Sequence, residues 1–354
     1  LQNKNDYSHI KGLIIKKNNQ IIKNEIDIPI QNLDEIPEDR SIYLNRYPHF
    51  KNENLLQVIS SRGCPLYCSF CINGKINEFY KNQSIKFHRQ KSPQFLINEL
   101  KNFLILFPKT KTIFFPDDIF LLNKKFIKEF AELYSKEIAI PFVMTTFPFY
   151  IDDEIAKLLK NANCKIVMTA PETANEQHRF EIFKKKIKNQ HFIDMSKIAK
   201  KHNLKIYTTA MFVYPKQTID DVYKTIEFNH QLQTDIPFKS FLQPYPHTEI
   251  YEIALKNNNI PQNFSFQDLP QSYFLKSPLN HQQKNEITLI YYFYYFLVKY
   301  PSFYKLIKKR LYILKLIPFK TLINYFGIFL WFKNFKNLSS AAALLYMLRF
   351  WKDK

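Results

Sequence analysis

Three cysteines stand in one short stretch, Ser61-Arg62-Gly63-Cys64-Pro65-Leu66-Tyr67-Cys68-Ser69-Phe70-Cys71, spaced C-x3-C-x2-C. Three thiolates on one loop can hold three irons of a 4Fe-4S cube and leave the fourth iron open to another ligand. A structural zinc ion would need a fourth Cys or His at compatible spacing, and the next histidine along the chain, His88, lies seventeen residues beyond Cys71. A chance cluster of buried thiols is the remaining alternative. Gly63 and Gly74 flank the loop and are two of only four glycines in 354 residues, where average usage of about 7% gives roughly 25. Glycines kept in so glycine-poor a chain point to backbone conformations that other residues avoid.

Carboxylates recur at the ends of apolar runs. Asp117 and Asp118 close Thr112-Ile113-Phe114-Phe115-Pro116, where both would face the cysteine loop, and Glu172 closes the run that begins at Lys165. Capping of the next helix by Asp118 or Asn123 is the bland alternative for the pair, and a surface carboxylate is the bland alternative for Glu172. Cys164 stands alone and reads as a buried structural thiol. His247 is the one other histidine placed at a strand end.

The elements that must carry these residues alternate from Leu55 onward. Strands are predicted at Leu55–Ser60, Thr112–Phe115, Phe142–Phe147, Lys165–Thr169, Lys205–Val213 and Phe238–Gln243. Helices are predicted at Pro93–Phe107, Asn123–Lys136, Asp152–Asn161, Gln190–His202, Ile219–Gln231 and Glu249–Asn257, with Pro93 and the Asp152-Asp153-Glu154 cluster suited to first turns. Six β–α units in a row imply a parallel sheet with right-handed crossovers, and chemistry then sits at the carboxyl ends of the strands. Residues 280–350 read as helical. The expected fold is therefore α/β, a partial (β/α)6 TIM-like barrel with a C-terminal all-helical extension. The expected divisions are an arm or linker over 1–50, the barrel over 51–260 and a basic, aromatic helical region over 261–354. Within the arm, Leu13-Ile14-Ile15 and Ile21-Ile22 around Lys17-Asn18-Asn19-Gln20 predict a hairpin.

Composition limits the class. Apolar residues make up 46% and charged residues 23%, a globular balance that excludes a mostly disordered chain. Four cysteines exclude a disulfide scaffold and fit a reducing, cytoplasmic compartment. The formal charge is +20, of which residues 276–354 supply 14 Lys/Arg against 2 Asp/Glu, together with 20 of the 58 aromatics.

The cysteine spacing, with Phe70 before the last cysteine, resembles the radical S-adenosylmethionine superfamily, and the resemblance runs strand by strand over about residues 50–260. It implies an open α/β barrel in which Cys64, Cys68 and Cys71 ligate a 4Fe-4S cluster and Phe70 packs near the adenine of S-adenosylmethionine. An electron from the cluster would break a C–S bond of that cofactor and give a 5′-deoxyadenosyl radical. By the same resemblance, Asp117 or Asp118 contacts the methionine amino group and Glu172 reaches the ribose or methionine end. Met211-Phe212-Val213-Tyr214-Pro215-Lys216-Gln217-Thr218 is similar to the family's Phe-Ile-x-Gly-x-Pro-Gly-Glu-Thr, and Gln243-Pro244-Tyr245-Pro246-His247-Thr248 to Pro-Tyr-Pro-Gly-Thr, with glycines replaced in both. The Asp-Asp-x-Phe stretch, the sixth-strand motif and the helical tail resemble the cobalamin-associated subgroup, whose members commonly methylate unactivated carbon. Residues 1–50 then look like the linker after a cobalamin-binding domain absent from this chain. The implied partners are a small or lipid-like substrate and a reductant such as flavodoxin or ferredoxin. Alternatives are a cobalamin-independent, methylthiotransferase-like radical enzyme, which would need three more N-terminal cysteines, and a degenerate barrel kept as a scaffold. No RNA-binding motif supports nucleic acid.

The tail holds three uncharged runs, 287–298, 321–332 and 339–348, each too short to span a bilayer of about 30 Å and bordered by Lys or Arg. Packing on the open side of the barrel is one expectation. Peripheral association with an anionic membrane, at its inner face, is the other.

Overall fold

The computed structural model describes residue 7 and residues 10–80 and 87–336. Six strands form one sheet: β1 (Leu55–Gln57), β2 (Thr112–Phe115), β3 (Phe142–Thr145), β4 (Cys164–Glu172), β5 (Lys205–Phe212) and β6 (Ile236–Phe241). All neighbours are parallel and lie in sequence order, with β1 and β6 at the edges. Such a singly wound, curled sheet is a half-barrel, as the six β–α units predict. The crossovers are α2 (Pro93–Leu106), α3 (Lys124–Glu137), α4 (Asp153–Asn161), α5 (Asn189–Lys201) and α6 (Ile219–Gln231), preceded by α1 (Ile72–Tyr80) and followed by α7 (Glu249–Lys256).

Caps account for the helix starts. Ser92 accepts from Phe95 N ahead of Pro93, Asp152 accepts from Ile155 N, and Asn123 accepts from the amides of Lys125 and Phe126. Because Asn123 caps α3, Asp118 is left free of that duty. Alternation along the strands sorts the two faces. Leu56, Ile113, Phe115, Phe142, Met144, Val167 and Ile206 pack against α2–α5. Leu55, Val143, Ile166, Tyr207 and Ile236 point to the concave side.

That concave side is filled from the C-terminus. Residues 261–283 carry only a short 3-10 turn, and helix resumes at α8 (Lys284–Lys299), α9 (Pro301–Lys309), a five-residue turn Tyr312–Leu316, and α10 (Lys320–Phe335). Trp331 and Phe335 of α10 enter the barrel, Phe335 standing 5.3 Å from Phe114 and 5.6 Å from Tyr207, Trp331 5.0 Å from Phe238. Lys239 of β6 ties the helices down: its buried Nζ donates to Tyr291 O at 2.5 Å and to Asn324 Oδ1 at 2.7 Å. The packing expected of the tail is thus present for 287–298 and for one side of 321–332, while 339–348 lies outside the described residues. Among the described residues no helix is long and apolar enough to cross a membrane.

The arm runs beside β1. Its hairpin, Ile14–Lys17 with Gln20–Lys23, turns at Asn18 and Asn19 (φ 49° and 62°), the left-handed pair that two-residue hairpin loops demand and asparagine tolerates. Further along, Arg40 donates to Gln57 O at 2.8 Å and lies over the Phe103 ring, satisfying part of the sheet edge.

Candidate active site

The cysteine loop follows β1 at the carboxyl end of the sheet and is pinned from several sides. Asn77 of α1 donates to Cys64 O at 2.7 Å and to Leu66 O at 3.1 Å. Ser69 donates through its amide to Phe183 O and through its hydroxyl to Ile182 O, and its carbonyl accepts from Ile250 N. The loop therefore bridges the segment after β4 and the start of α7. Gly63 has φ +87°, and a Cβ there would lie 2.4 Å from Phe87 O, so both conformation and space require glycine. Phe70 meets Phe183 edge-to-face at 5.5 Å.

Cys64 and Cys68 are buried and Cys71 half-buried, all three free. Burial pushes the Cys64 thiol up to about 12 and the Cys68 thiol up to about 11, and raises Cys71. The neighbouring charges differ by side: Asp118 adds to the rise at Cys64 and Cys71, and Lys185 opposes it at Cys68 and Cys71. No group of three or more His, Cys, Asp or Glu among the described residues is disposed to hold one metal ion. Each of the three thiols can take a different iron of a cube, so the donor types on this loop fit a 4Fe-4S cluster. Cys164 is fully buried at the opposite end of β4, its thiol pushed up to about 12 by burial; it is a structural thiol, remote from the cysteine loop.

The two aspartates part company. Asp117 is buried and accepts from Ser60 N at 3.1 Å, Ser60 Oγ at 2.8 Å and Ser61 Oγ at 2.5 Å. It clasps the exit of β1 to the end of β2, chiefly through Oδ1. Asp118 is exposed, takes one bond from Asn73 Nδ2 at 3.0 Å, and is the carboxylate that raises Cys64 and Cys71, while Glu172 raises Cys68.

Glu172 is set by an irregularity in β4. The register against β5 shifts between Thr169 and Glu172, across Ala170-Pro171, and Glu172 itself has φ +62°. Such a shift re-aims a side chain. Its buried carboxylate receives Thr209 Oγ1 on Oε2 at 2.8 Å and Lys185 Nζ on Oε1 at 3.2 Å. Lys185, itself buried, also donates to Ala170 O and sits 5.2 Å over the Phe147 ring. The loop carrying it is held by fully buried Arg179, which donates to Pro171 O, Thr173 O, Ile187 O and Asn189 Oδ1. Sequence reasoning does not find Lys185, because Lys184-Lys185-Lys186 reads as a solvated charge run.

The replaced glycines keep a glycine-like backbone. Val213, Lys216 and His247 have φ +55°, +65° and +72°, the left-handed region that costs a side chain roughly 1–2 kcal/mol. Gln217 secures the first turn by accepting from Val213 N at 2.6 Å. His247 is exposed, its ring 6.3 Å from Phe266, and among the described residues it belongs to no group of three or more His, Cys, Asp or Glu that could hold a metal ion. Lys216→Gly and His247→Gly, both at exposed positions, should each raise stability by about 0.5–1 kcal/mol once the unfolded-state entropy of glycine is subtracted. Denaturant midpoints test this; lower midpoints in both variants would contradict the strain.

Comparison with known proteins agrees with this geometry. Residues 58–228 match the Radical SAM superfamily. The chain belongs to that superfamily. An uncharacterized methyltransferase of Pyrococcus horikoshii is 32% identical over 70% of this chain and 53% of its own length, and the bacteriochlorophyllide d C-12(1)-methyltransferase of Chlorobaculum tepidum is 24% identical over 61% and 46%. The chain thus spans about half the length of the curated relatives it matches. The fold of this radical SAM protein is similar to that of the methyltransferase TsrM of Kitasatospora setae, solved with cobalamin and a 4Fe-4S cluster (TM-score 0.56, 14% identity, 77% of this chain, 54% of that one). It is also similar to the cobalamin-dependent radical enzyme OxsB, solved with aqua-cobalamin and S-adenosylmethionine (TM-score 0.51, 17% identity, 72% and 36%). The half-barrel is the shared element.

Proposed function

We propose that this radical SAM enzyme reductively cleaves S-adenosylmethionine and directs the resulting chemistry to methylation of an unactivated carbon in a small or lipid-like substrate. The observation that carries the reading is the set of charged groups gathered at the thiol loop: Asp118, held by Asn73 of α1, on the Cys64 and Cys71 side, and Lys185, paired with Glu172, on the Cys68 and Cys71 side. An amino acid presents an ammonium and a carboxylate from one carbon, and the two side chains complement that zwitterion. Cys64, Cys68 and Cys71 would hold the cluster, which supplies the electron for C–S cleavage when bound. Asp118 would accept from the cofactor's amino group, Lys185 would donate to its carboxylate, and Glu172 would use its remaining lone pairs for the ribose hydroxyls. Phe70, fixed edge-on by Phe183, would give the adenine an apolar wall. Asp117 holds β1 to β2 and takes no part in contact.

Methyl transfer is supported by the names of the curated relatives, and cobalamin by the solved proteins that share the half-barrel. The proposed route is cobalamin carried by a domain outside these residues, with flavodoxin or ferredoxin as reductant. The test is anaerobic, cluster-reconstituted protein with S-adenosylmethionine and dithionite. Slow release of 5′-deoxyadenosine and a cofactor-dependent change in the EPR spectrum of the reduced cluster are expected. A loaded cluster with neither signal would leave a scaffold and overturn the enzymatic reading.

A further inference from the structure

The last described helix is apolar on all sides but covered on one. Asn324, Gly327, Trp331 and Phe335 of α10 face the barrel and α8. Away from the barrel Leu322 and Phe326 are exposed, 63% and 53%, one turn apart, with the Phe326 ring stacked along Phe296 of α8 at 6.0 Å. The same surface continues N-terminally through Phe319 and Leu316, 77% and 74% exposed, and Tyr312 at 57%. Phe319 has φ +55° and forms the bend between the Tyr312–Leu316 turn and α10. A soluble helix normally puts polar residues where these stand, and α10 carries only two charges in sixteen residues.

The surroundings of this face have a single sign. Residues 287–336 contain nine Lys/Arg and no Asp or Glu. Lys308 reaches Glu227 of α6, whereas Lys305, Lys309, Arg310 and Lys315, in the segment that leads into this face, are exposed. We propose that the surface formed by Tyr312, Leu316, Phe319, Leu322 and Phe326 docks on an anionic lipid bilayer, the apolar side chains entering the headgroup region and the cations meeting lipid phosphate. A second copy of the chain would bring like charge against like charge. Residues 337–354 add Arg349, Lys352 and Lys354 against one Asp353 and so do not neutralise the cations. Nucleic acid would answer the charge but not Leu316 and Leu322. Bilayer contact by such a face needs no spanning helix, and it stands independently of the catalytic reading.

The test is co-sedimentation of the cluster-loaded full chain with vesicles of phosphatidylcholine alone and of an equimolar phosphatidylcholine–phosphatidylglycerol mixture, at low and high salt. The chain should pellet with the anionic vesicles at low salt and be released by high salt. Leu316→Glu/Phe319→Glu/Leu322→Glu, with unchanged iron content and circular dichroism, should lower the partition coefficient by about tenfold or more. Lys309→Gln/Arg310→Gln/Lys315→Gln should remove the preference for anionic vesicles. Wild-type protein in the supernatant under all four conditions overturns the proposal, as does equal pelleting of wild type and the triple-Glu variant. A dimer that the triple-Glu variant dissociates, with no vesicle binding, would assign the face to a second copy instead.

Discussion

Protein with Cys64, Cys68 and Cys71 all replaced by Ala should fall from about four irons per chain after anaerobic reconstitution to essentially none. The three thiols are the donors that the half-barrel offers at that loop among the described residues, and hydrogen bonds of Asn77 and Ser69 and the turn at Gly63 hold the loop. The variant should therefore stay folded, and the loss should read as chemistry. Cys164→Ala is the control. That thiol is fully buried at the far end of β4, so iron content should be unchanged while stability drops by about 1 kcal/mol. The pH dependence has a fixed sign. Burial holds the Cys64 and Cys68 thiols up at about 12 and about 11, so the unloaded protein carries them protonated from pH 6 to 9. Loading must release those protons, and iron should be retained more strongly against a chelator as pH rises through that window. Zinc retained and iron refused after reconstitution would sink the cluster assignment.

Much of the architecture is readable from the chain because short β-rich runs and amphipathic stretches alternate with clear caps at Ser92, Asn123, Asp152 and Thr218. The strand ends are less so. The predicted Leu55–Ser60 stops at Gln57 because Ser60 N is taken by Asp117, a contact 57 residues away in sequence. The predicted Lys165–Thr169 instead runs on to Glu172 through a register shift that alternation does not reveal. Helix α1 escapes sequence reading altogether. Its residues Ile-Asn-Gly-Lys-Ile-Asn-Glu-Phe-Tyr include Gly and two Asn, poor helix formers, and tertiary bonds such as Asn77 to Cys64 O hold it. The three thiols are legible because their spacing is itself the chemistry. Which of Asp117 and Asp118 is free for a ligand is decided by Ser60 and Ser61, and the role of Lys185 by a fold that carries one lysine of a basic run inward.

That inward lysine yields the other large effect. Lys185 and Glu172 form an ion pair with both partners buried. Removing one partner of such a pair leaves an uncompensated buried charge and costs about 3–5 kcal/mol. Lys185→Met should be destabilised by that order. Glu172→Gln should be affected less, since Lys185 keeps its bond to Ala170 O and the Gln amide oxygen still accepts from Thr209. The double variant Lys185→Met/Glu172→Gln removes both charges, so most of the lost stability should return. Cofactor binding should not return with it. If Lys185 receives the cofactor's carboxylate and Glu172 its ribose, the double variant should bind S-adenosylmethionine about a hundredfold more weakly than wild type, within the 2–5 kcal/mol expected for a lost charged contact. Thermal denaturation of the unloaded proteins gives the first quantity, and cofactor titration of the reduced cluster's EPR signal gives the second. A merely structural pair predicts that both recover together; recovery of wild-type affinity in the double variant would therefore reduce Lys185 and Glu172 to packing and leave Asp118 as the remaining charged contact for the cofactor.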